Sequence, residues 1–374
     1  MRAVLACHSY LPTVGGVERF AQGVSEGLAA RGIEMTVVTR RDPGTQPFEK
    51  VGGVSIVRVG MRRAGRFHIP VKYRATLRRL RPDLFHLSGN RVWCADFYLP
   101  FAGRAPWPQV MTGHGFYQYE MHRRLWDRWY FERYLPGRIR RFEVYTAHTT
   151  RERDQLVSWG VEPERIELVP AGIPLAEFQE SRTDPAVVRD RWKLATRHVA
   201  VYGGGFFENK RVDRLVRAVA ATHGRWGLVA FGQDRAGSFC DRQHVTELAR
   251  SLGARVWIGG VLPRGEALDA LSAADAVVLG SSYEGFGLLL LEAMALARPF
   301  VAYRAGAAPE LAALGGGFSV DTDAEFQSAL VQVEDSGTRD RMGRRGREAV
   351  QAYSVERQVE RFLRVYERAS RMGG

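Results

Sequence analysis

Two glutamates eight residues apart are the residues of this chain whose types and spacing best suit binding chemistry. Glu284 stands in a turn with Gly285 and Gly287, and Glu292 lies in the apolar segment that follows. On a helix an eight-residue spacing is about 80°, which keeps both carboxylates on one side. Carboxylates accept hydrogen bonds from sugar and ribose hydroxyls, and the glycines leave first-turn amides for a phosphate. The plainer interpretation is a helix-dipole charge at Glu284 and a solvated Glu292.

The segments around this motif predict two α/β domains in tandem. The chain begins with a strand over residues 3–7, a loop with Gly15 and Gly16, a helix over 17–31 and a strand over 34–39. A second start of the same kind follows at 198–203. Alternating strands and helices favour parallel sheets, which bind ligands at the carboxyl ends of their strands. Further strands are predicted at 54–59, 84–87, 109–112, 143–147, 166–169, 227–231, 255–258 and 276–279.

The domain boundaries follow from a Pro and Gly cluster at residues 169–174. We predict a first domain over 1–172, a linker over 173–197, a second domain over 198–350 and a helix over 351–374 that packs back toward the first domain. The site is expected in a cleft between the domains.

Composition bounds the class of protein. The chain has 374 residues, 45% of them hydrophobic and 25% charged, which are globular values for two domains. Cys7, Cys94 and Cys240 are scattered without metal-ligand spacing, which favours the cytosol over a disulfide or zinc framework. No apolar run approaches the roughly 18 residues of a membrane span, and the first residues read as a strand instead of a signal peptide. A cytoplasmic protein, free or peripheral at the inner face of the membrane, is expected.

A collinear set of motifs resembles a known family. Residues 281–302 read SSYEGFGLLLLEAMALARPFVA, preceded by HSYLPTVGGVERF at 8–20, NKRVDRLVRAV at 209–219 and GVLPRGEALDALSAADAVVL at 260–279. RAGAAPEL follows at 304–311. This order is similar to family 4 glycosyltransferases, retaining enzymes of the GT-B fold, whose signature is a Glu, seven residues and a second Glu. The resemblance implies two Rossmann-like domains that face a central cleft.

The resemblance also implies roles for individual residues. It gives Glu292 the ribose hydroxyls of a nucleotide sugar, Glu284 the transferred sugar and Lys210 the diphosphate. His114 would lie near the reacting carbon, and His8 and His148 are secondary candidates. The catalytic set is then His114, Lys210 and Glu284. The donor-binding set is Gly15, Gly16, Gly204, Gly205, Arg211, Leu262, Gly285, Phe286, Gly287, Leu288, Leu289 and Glu292.

The residues by themselves leave other interpretations open. Lys210 alone could be a solvated lysine in a turn, Gly15 and Gly16 a simple turn, and His114 a capping or packing group at the end of a strand. The family mechanism uses neither a metal nor a cofactor, because the lysine and backbone amides stabilise the leaving diphosphate.

Four positions depart from the family pattern. Gly205 stands where an arginine usually grips the diphosphate, unless Arg211 or Arg264 substitutes for it. Gly280 replaces a proline, and the link between the domains has Ala171 and Pro174 in place of Asn and Asp. Gly205 in place of the arginine leaves the charge clamp on the diphosphate incomplete.

The first half carries most of the net charge of +13. Residues 1–170 hold 27 Lys and Arg against 16 Asp and Glu, and the rest of the chain holds 27 against 25. No acidic residue lies between Glu49 and Asp83, where the basic residues include Arg58, Arg62, Arg63, Arg66, Lys72, Arg74, Arg78, Arg79 and Arg81. Residues 116–141 interleave Tyr117, Tyr119, Trp126, Trp129, Tyr130, Phe131 and Tyr134 with Arg123, Arg124, Arg128 and Arg133.

These two stretches favour an anionic acceptor or an anionic membrane surface. Core aromatics with a solvated arginine face are the alternative. A nucleic-acid partner is not expected, because no nucleic-acid motif accompanies the charge.

The resulting expectation is a transferase that moves a hexose from a nucleotide sugar, expected to be a UDP-sugar, to a hydroxyl of a glycan, lipid-linked or small-molecule acceptor. An epimerase or hydrolase of the same fold, or a non-catalytic binding protein on a degenerate transferase scaffold, is the alternative. A dehydrogenase is disfavoured, because neither domain start has a G-x-G-x-x-G fingerprint.

Overall fold

The computed structural model describes residues 1–13, 15–64, 67–89, 93–115, 129–180 and 182–373. The chain forms two compact units. The first consists of Met1–Gly172 and Val355–Gly374, and the second of Ile173–Ser354. The segment interpreted as a linker therefore belongs to the second unit, where it forms a 3₁₀ helix at Leu175–Phe178 and a helix at Pro185–Asp190.

The first unit is built on an eight-stranded sheet. Its strands run in the order β10-β9-β8-β7-β1-β2-β4-β3, and every neighbouring pair except β3 and β4 is parallel. The strands are β1 (Arg2–Ala6), β2 (Glu34–Arg40), β3 (Phe48–Val51), β4 (Val54–Val59), β7 (Leu84–Ser88), β8 (Gln109–Thr112), β9 (Val144–Ala147) and β10 (Ile166–Leu168). A separate hairpin pairs β5 (Met61–Ala64) with β6 (Phe67–Pro70). The central strands are almost continuously apolar because helices cover both faces of the sheet.

Helices of the first unit pack on this sheet. They are α1 (Gly16–Ala29), α2 (Tyr73–Leu80), α3 (Trp93–Asp96), α4 (Leu135–Ile139) and α5 (Thr150–Ser158). The C-terminal helix (Val355–Gly373) lies on the same face as α1. Gly27 of α1 allows the two helices to approach closely, since a Cβ there would lie 2.4 Å from Cγ2 of Val359. The prediction that this helix returns to the first domain is confirmed.

The second unit contains a parallel six-stranded sheet. Its order is β13-β12-β11-β14-β15-β16. The strands are β11 (His198–Gly203), β12 (Trp226–Phe231), β13 (Val256–Gly259), β14 (Ala276–Leu279), β15 (Phe300–Tyr303) and β16 (Gly317–Val320). From β11 the chain moves outward to β13, then returns to β14 and moves outward on the other side. The crevice at the carboxyl ends of β11 and β14 is therefore the topological switch point, where such sheets bind ligands.

Eight helices surround this sheet among the described residues. They are α6 (Pro185–Asp190), α7 (Val212–Ala220), α8 (Arg242–Ser251), α9 (Arg264–Ser272), α10 (Leu288–Ala295), α11 (Ala308–Ala313), α12 (Asp323–Gln332) and α13 (Ser336–Ala349). Helix α10 carries the second glutamate of the signature and is buried from Leu289 to Ala295.

The predicted strands at 54–59, 109–112 and 276–279 are confirmed to the residue.

Candidate functional site

The switch point of the second unit brings Lys210 and Glu284 together. Lys210 ends the 3₁₀ turn that follows β11, and Glu284 lies in the loop that follows β14. The ammonium Nζ donates to both carboxylate oxygens, at 2.7 Å to Oε1 and 2.8 Å to Oε2. The Ser281 hydroxyl also donates to Oε1, at 2.7 Å. Glu284 is buried, so this pair is a preformed charged contact at the carboxyl ends of β11 and β14.

Backbone contacts between the two loops explain why these side chains meet. The Ser282 amide donates to the Asn209 carbonyl at 2.9 Å, and the Asn209 side-chain amide donates to the Tyr283 carbonyl at 3.3 Å. Gly280 permits this approach, because a Cβ there would lie 2.5 Å from the Arg211 carbonyl oxygen. The glycine in place of the family proline therefore has a structural reason.

The turn before α10 presents a helix N-terminus at the same crevice. Gly287 has a φ of +101° and precedes Leu288, the first residue of the helix. The Phe286 carbonyl accepts from the Ala307 amide at 2.8 Å, which fixes the turn. Gly306 has a φ of +55°, and a Cβ there would lie 2.3 Å from that carbonyl oxygen. Amides in the first turn of a helix have no partner within the helix and suit an anion.

Glu292 is held by a second ion pair on the same unit. Arg264, at the start of α9, donates from Nη1 to Glu292 Oε1 at 2.8 Å and from Nε to Glu177 Oε2 at 2.9 Å. Burial lowers the pKa of Arg264, but Glu292 and Glu177 outweigh that effect and leave it above its ordinary value. One guanidinium thus orients the carboxylate that was predicted to bind ribose.

Arg211 has an acidic partner of its own. It precedes α7 with a φ of +48°, and its guanidinium pairs with both oxygens of Asp213 at 2.9 Å. The hydrogen bonds that Arg211 donates to Asp213 raise the pKa of Arg211 above its ordinary value. Its predicted role as a substitute diphosphate clamp stays a prediction.

The other predicted donor-binding positions lie in loops at the carboxyl ends of strands. Gly204 and Gly205 follow β11, and Leu262 lies half-buried between β13 and α9. The Gly205 carbonyl accepts from the Tyr202 hydroxyl at 2.8 Å. A Cβ at Gly205 would lie 2.3 Å from the Phe207 ring, so the space an arginine would need there is taken by that ring.

In the first unit a row of polar side chains begins at His114, which follows β8. Its Nε2 lies 2.8 Å from the Ser88 hydroxyl at the end of β7, and its Nδ1 lies 3.1 Å from His148 Nε2, after β9. His148 Nδ1 lies 2.8 Å from the Val169 carbonyl. Phe20 of α1 packs edge-on against both imidazole rings, with centroids 4.6 and 5.1 Å away. Burial, followed by the neighbouring His148, holds the pKa of His114 well below its ordinary value.

A buried carboxylate fixes the backbone of both histidine loops. Glu152 in the first turn of α5 accepts from the Gly115 and His148 amides, each at 2.7 Å. Gly15 and Gly16, predicted to face the diphosphate, are the N-cap and first residue of α1. The structure therefore brings His114 and His148 together in the first unit, and Lys210 and Glu284 in the second.

Several residues of these clusters were not predicted from the sequence. They are Ser88, Glu152, Glu177, Asp213 and Ser281. Ser281 adjoins the signature and could have been included, whereas Glu177 pairs with a residue 87 positions away. Among the described residues, no group of three His, Cys, Asp or Glu side chains could hold a metal ion, and no helix is long and apolar enough to cross a membrane.

Part of the predicted basic surface lies outside the described residues, and part is buried. Arg66, Tyr117, Tyr119, Arg123, Arg124, Trp126 and Arg128 lie outside them. Arg58 is not a surface charge as expected, because it pairs with Glu49 and donates to the Leu11 and Gln46 carbonyls. Phe131 is a core residue, while Trp129 is exposed.

Comparison with known proteins agrees with the fold and the signature. The sequence model of Glycosyltransferase Family 4 matches residues 14–177, and that of Glycosyl transferases group 1 matches residues 188–349. D-inositol 3-phosphate glycosyltransferase of Kineococcus radiotolerans is 26% identical and covers 95% of this chain and 91% of its own.

Solved structures share the whole architecture. Sucrose-phosphate synthase from Thermosynechococcus elongatus superposes with a TM-score of 0.80 at 21% identity, covering 98% of both chains. Anabaena HepE in complex with UDP and glucose gives a TM-score of 0.79 at 17% identity, covering 97% of this chain and 98% of its own. The chain therefore has the GT-B fold, and it belongs to the family 4 glycosyltransferases. The predicted class of enzyme, a glycosyltransferase that uses a nucleotide sugar, is confirmed.

Proposed function

We propose that this transferase moves a hexose from a UDP-sugar to a hydroxyl of an anionic acceptor, with retention at the anomeric carbon and without a metal. The observation that carries the proposal is the contact between Lys210 and Glu284 at the switch point, beside the N-terminus of α10. A nucleotide diphosphate sugar requires a cation and first-turn amides for its diphosphate, and a carboxylate that accepts hydrogen bonds from its sugar hydroxyls.

In this proposal each group of the second unit holds one part of the donor. Glu292, oriented by Arg264, accepts from the ribose hydroxyls. The amides from Phe286 to Leu289 bind the diphosphate, and Glu284 accepts from sugar hydroxyls. Lys210 exchanges part of its contact with Glu284 for the diphosphate, and a flexible ammonium suits the charge that develops on the leaving oxygen.

The reaction then needs no covalent enzyme intermediate. A bond forms between the acceptor oxygen and the anomeric carbon while the bond from that carbon to the diphosphate oxygen breaks. The acceptor oxygen attacks on the same face from which the diphosphate departs, and the acceptor proton passes to the leaving diphosphate. Positioning and charge stabilisation supply the rate. His114, predicted to lie near the reacting carbon, orients the sugar.

The donor assignment is tested by nucleotide binding. UDP, GDP and ADP are compared by thermal shift and calorimetry on the wild type, on Glu292→Gln and on the matched control Glu348→Gln, an exposed glutamate of α13. A carboxylate hydrogen bond is worth about 1.5–3 kcal/mol, so Glu292→Gln should bind UDP about 10- to 100-fold more weakly while the control is unchanged. Equal UDP affinity in all three proteins would contradict the ribose assignment.

Transfer is separated from hydrolysis and epimerisation by product analysis. UDP-glucose and UDP-galactose are incubated with and without an acceptor mixture, and products are followed by NMR. Free hexose or an epimerised donor formed equally fast without acceptor would favour the alternative reactions. An α-linked product from an α-linked donor establishes retention.

The acceptor side of the proposal depends on exposed positive charge in the first unit. The helix α2 buries Tyr73 and Leu77 and exposes Arg74, Arg78 and Arg79. Such a surface suits a phosphate-bearing acceptor or an anionic lipid headgroup at the inner face of a membrane. Sucrose-phosphate synthase and D-inositol 3-phosphate glycosyltransferase have phosphate compounds in their names, which supports an anionic acceptor here.

Liposome flotation tests the membrane part. Vesicles with and without anionic lipid are compared at low salt, using the wild type and Arg78→Glu/Arg79→Glu. Arg344→Glu/Arg347→Glu, on α13, carries the same charge change on the other unit and serves as the control. Binding that depends on anionic lipid and is lost only with the α2 variant supports peripheral attachment; no binding by the wild type removes it.

A further inference from the structure

His148 lies behind His114, on the side away from Ser88, and its hydrogen bonds have a fixed direction. A backbone carbonyl can only accept, so His148 Nδ1 must carry the proton that it shares with Val169, at 2.8 Å. When His148 is a neutral imidazole, only one of its nitrogens carries a proton, so its Nε2 is an acceptor. The direction is set by the Val169 carbonyl, which cannot titrate.

The hydrogen-bond direction at His148 also determines which nitrogen of His114 donates. Its Nδ1 lies 3.1 Å from the accepting Nε2 of His148 and must be the donor. In neutral His114 the Nε2 atom is therefore the acceptor, and the Ser88 hydroxyl, 2.8 Å away, donates to it. Burial lowers the pKa of His114, which is consistent with a neutral ring.

We propose that His148 is a positioning residue for the transfer reaction: it fixes His114 as the Nδ1–H tautomer, so that His114 Nε2 accepts from the Ser88 hydroxyl and Ser88 Oγ presents its lone pairs to a substrate hydroxyl. This role rests on the proposed function, in which His114 orients the sugar. It assigns a task to His148 and Ser88, to which the proposed function gives no role.

The packing around the pair supports positioning over proton transfer. His148 is 2% exposed, Phe20 lies against both rings, and Glu152 binds the amides of His148 and Gly115. The row of hydrogen bonds ends at a carbonyl, which cannot take up a proton. The arrangement therefore sets an orientation and a tautomer, and it does not carry protons to solvent.

The first test needs no substrate. The full chain is labelled with ¹⁵N-histidine, and His114 is assigned among the nine histidines by its loss in His114→Gln. Long-range ¹⁵N–¹H correlation at neutral pH should show His114 as the Nδ1–H tautomer. If His114 is instead the Nε2–H tautomer or an imidazolium, His148 does not set its tautomer in the way proposed, and the proposal is overturned.

The second test uses variants of His148. His148→Phe keeps a ring but no acceptor, so His114 should become a mixture of tautomers, and kcat/KM should fall about tenfold or more while UDP affinity is unchanged. His148→Gln offers an amide oxygen to His114 Nδ1 and should restore the tautomer and most of the rate. His244→Gln, an exposed histidine of α8, is the control and should behave as the wild type.

The outcomes separate this inference from the proposed function. If His148→Phe retains both the Nδ1–H tautomer and the wild-type kcat/KM, His148 has no positioning role. If His148→Phe fails to fold, the His114 tautomer in the wild type and the tautomer and rate of His148→Gln still test the positioning role. If the wild type binds no UDP and transfers no sugar while His114 shows the expected tautomer, the proposed function fails and the tautomer assignment stands.

Discussion

Replacing Lys210 by Met should destabilise the second unit even when no donor is present. The Lys210 side chain is 23% exposed and the Glu284 side chain 9% exposed, so the pair is neither a surface pair nor fully buried. An exposed pair contributes about 0–1 kcal/mol, and removing one partner of a buried pair costs about 3–5 kcal/mol. Lys210→Met removes two hydrogen bonds from a buried carboxylate, and we expect a loss of about 2 kcal/mol.

Glu284→Gln should be milder than Lys210→Met. The amide still accepts from Ser281, and the lysine left behind can reach water. We expect a cost of about 1 kcal/mol. The double variant should resemble Lys210→Met alone, because the second change removes a charge that has already lost its partner. The coupling between the two positions is then about 1 kcal/mol.

Differential scanning calorimetry of the full chain measures these losses. For a unit of this size 1 kcal/mol corresponds to about 2–4 °C, so Lys210→Met should lower the Tm of the second unit by about 4–8 °C. Lys193→Met, in the same unit, is a matched control and should leave the Tm unchanged, because Lys193 is exposed. A Tm for Lys210→Met within about 1 °C of the wild type, or single effects that simply add in the double variant, would refute the reasoning.

Three further changes test other parts of the structure. Gly306→Ala forces a side chain against the Phe286 carbonyl in a left-handed backbone conformation, so it should weaken UDP binding and lower the Tm of the second unit; an unchanged Kd in calorimetry would contradict the packing of that turn. Gly27→Ala should destabilise the first unit by about 1–3 kcal/mol in urea unfolding, although Ala favours helices, because its Cβ meets Val359; Val359→Ala in the same chain should restore part of the loss. Burial lowers the pKa of His86 to about 3, below its ordinary 6.5, so the stability that this neutral ring contributes is present above pH 6.5 and is lost progressively as pH falls toward 3. The free energy of unfolding should fall by up to about 1.4 kcal/mol per pH unit in that window, and His86→Asn should flatten the curve.

The sequence predicted the parts of the fold that depend on local pattern. Apolar runs such as 54–59 and 276–279 identify strands, and the turn before Leu288 follows from its glycines. The contacts of the site depend on strand order, which local pattern does not contain. His114 and His148 follow strands 35 positions apart in sequence that are neighbours in the sheet. His148 therefore gave no signal that it contacts His114.

The ion pairs of the second unit show the same limit. Lys210 and Glu284 follow β11 and β14, whose adjacency appears only when the sheet order is known. Arg264 is predicted from the sequence as a substitute for the missing arginine on the diphosphate, and that role stays a prediction. The structure pairs Arg264 with Glu292 and Glu177, which the sequence does not indicate. Charge in the sequence indicates that an ion pair is available, and only the topology determines its partner.

The discontinuity of the first unit has a consequence for biosynthesis. The chain leaves that unit after Gly172 and re-enters it at Val355, and within the second unit Ile173 and Ser354 form a parallel bridge beside each other. The second unit is thus an insertion with adjacent ends, and all of its residues are translated before the last helix of the first. Until Val359 and Phe362 leave the ribosome, the face of α1 that they cover is without its helix. The first unit therefore begins synthesis first and completes its core last. A chain shortened at residue 354 should keep a folded second unit, while its first unit stays incomplete and prone to aggregation.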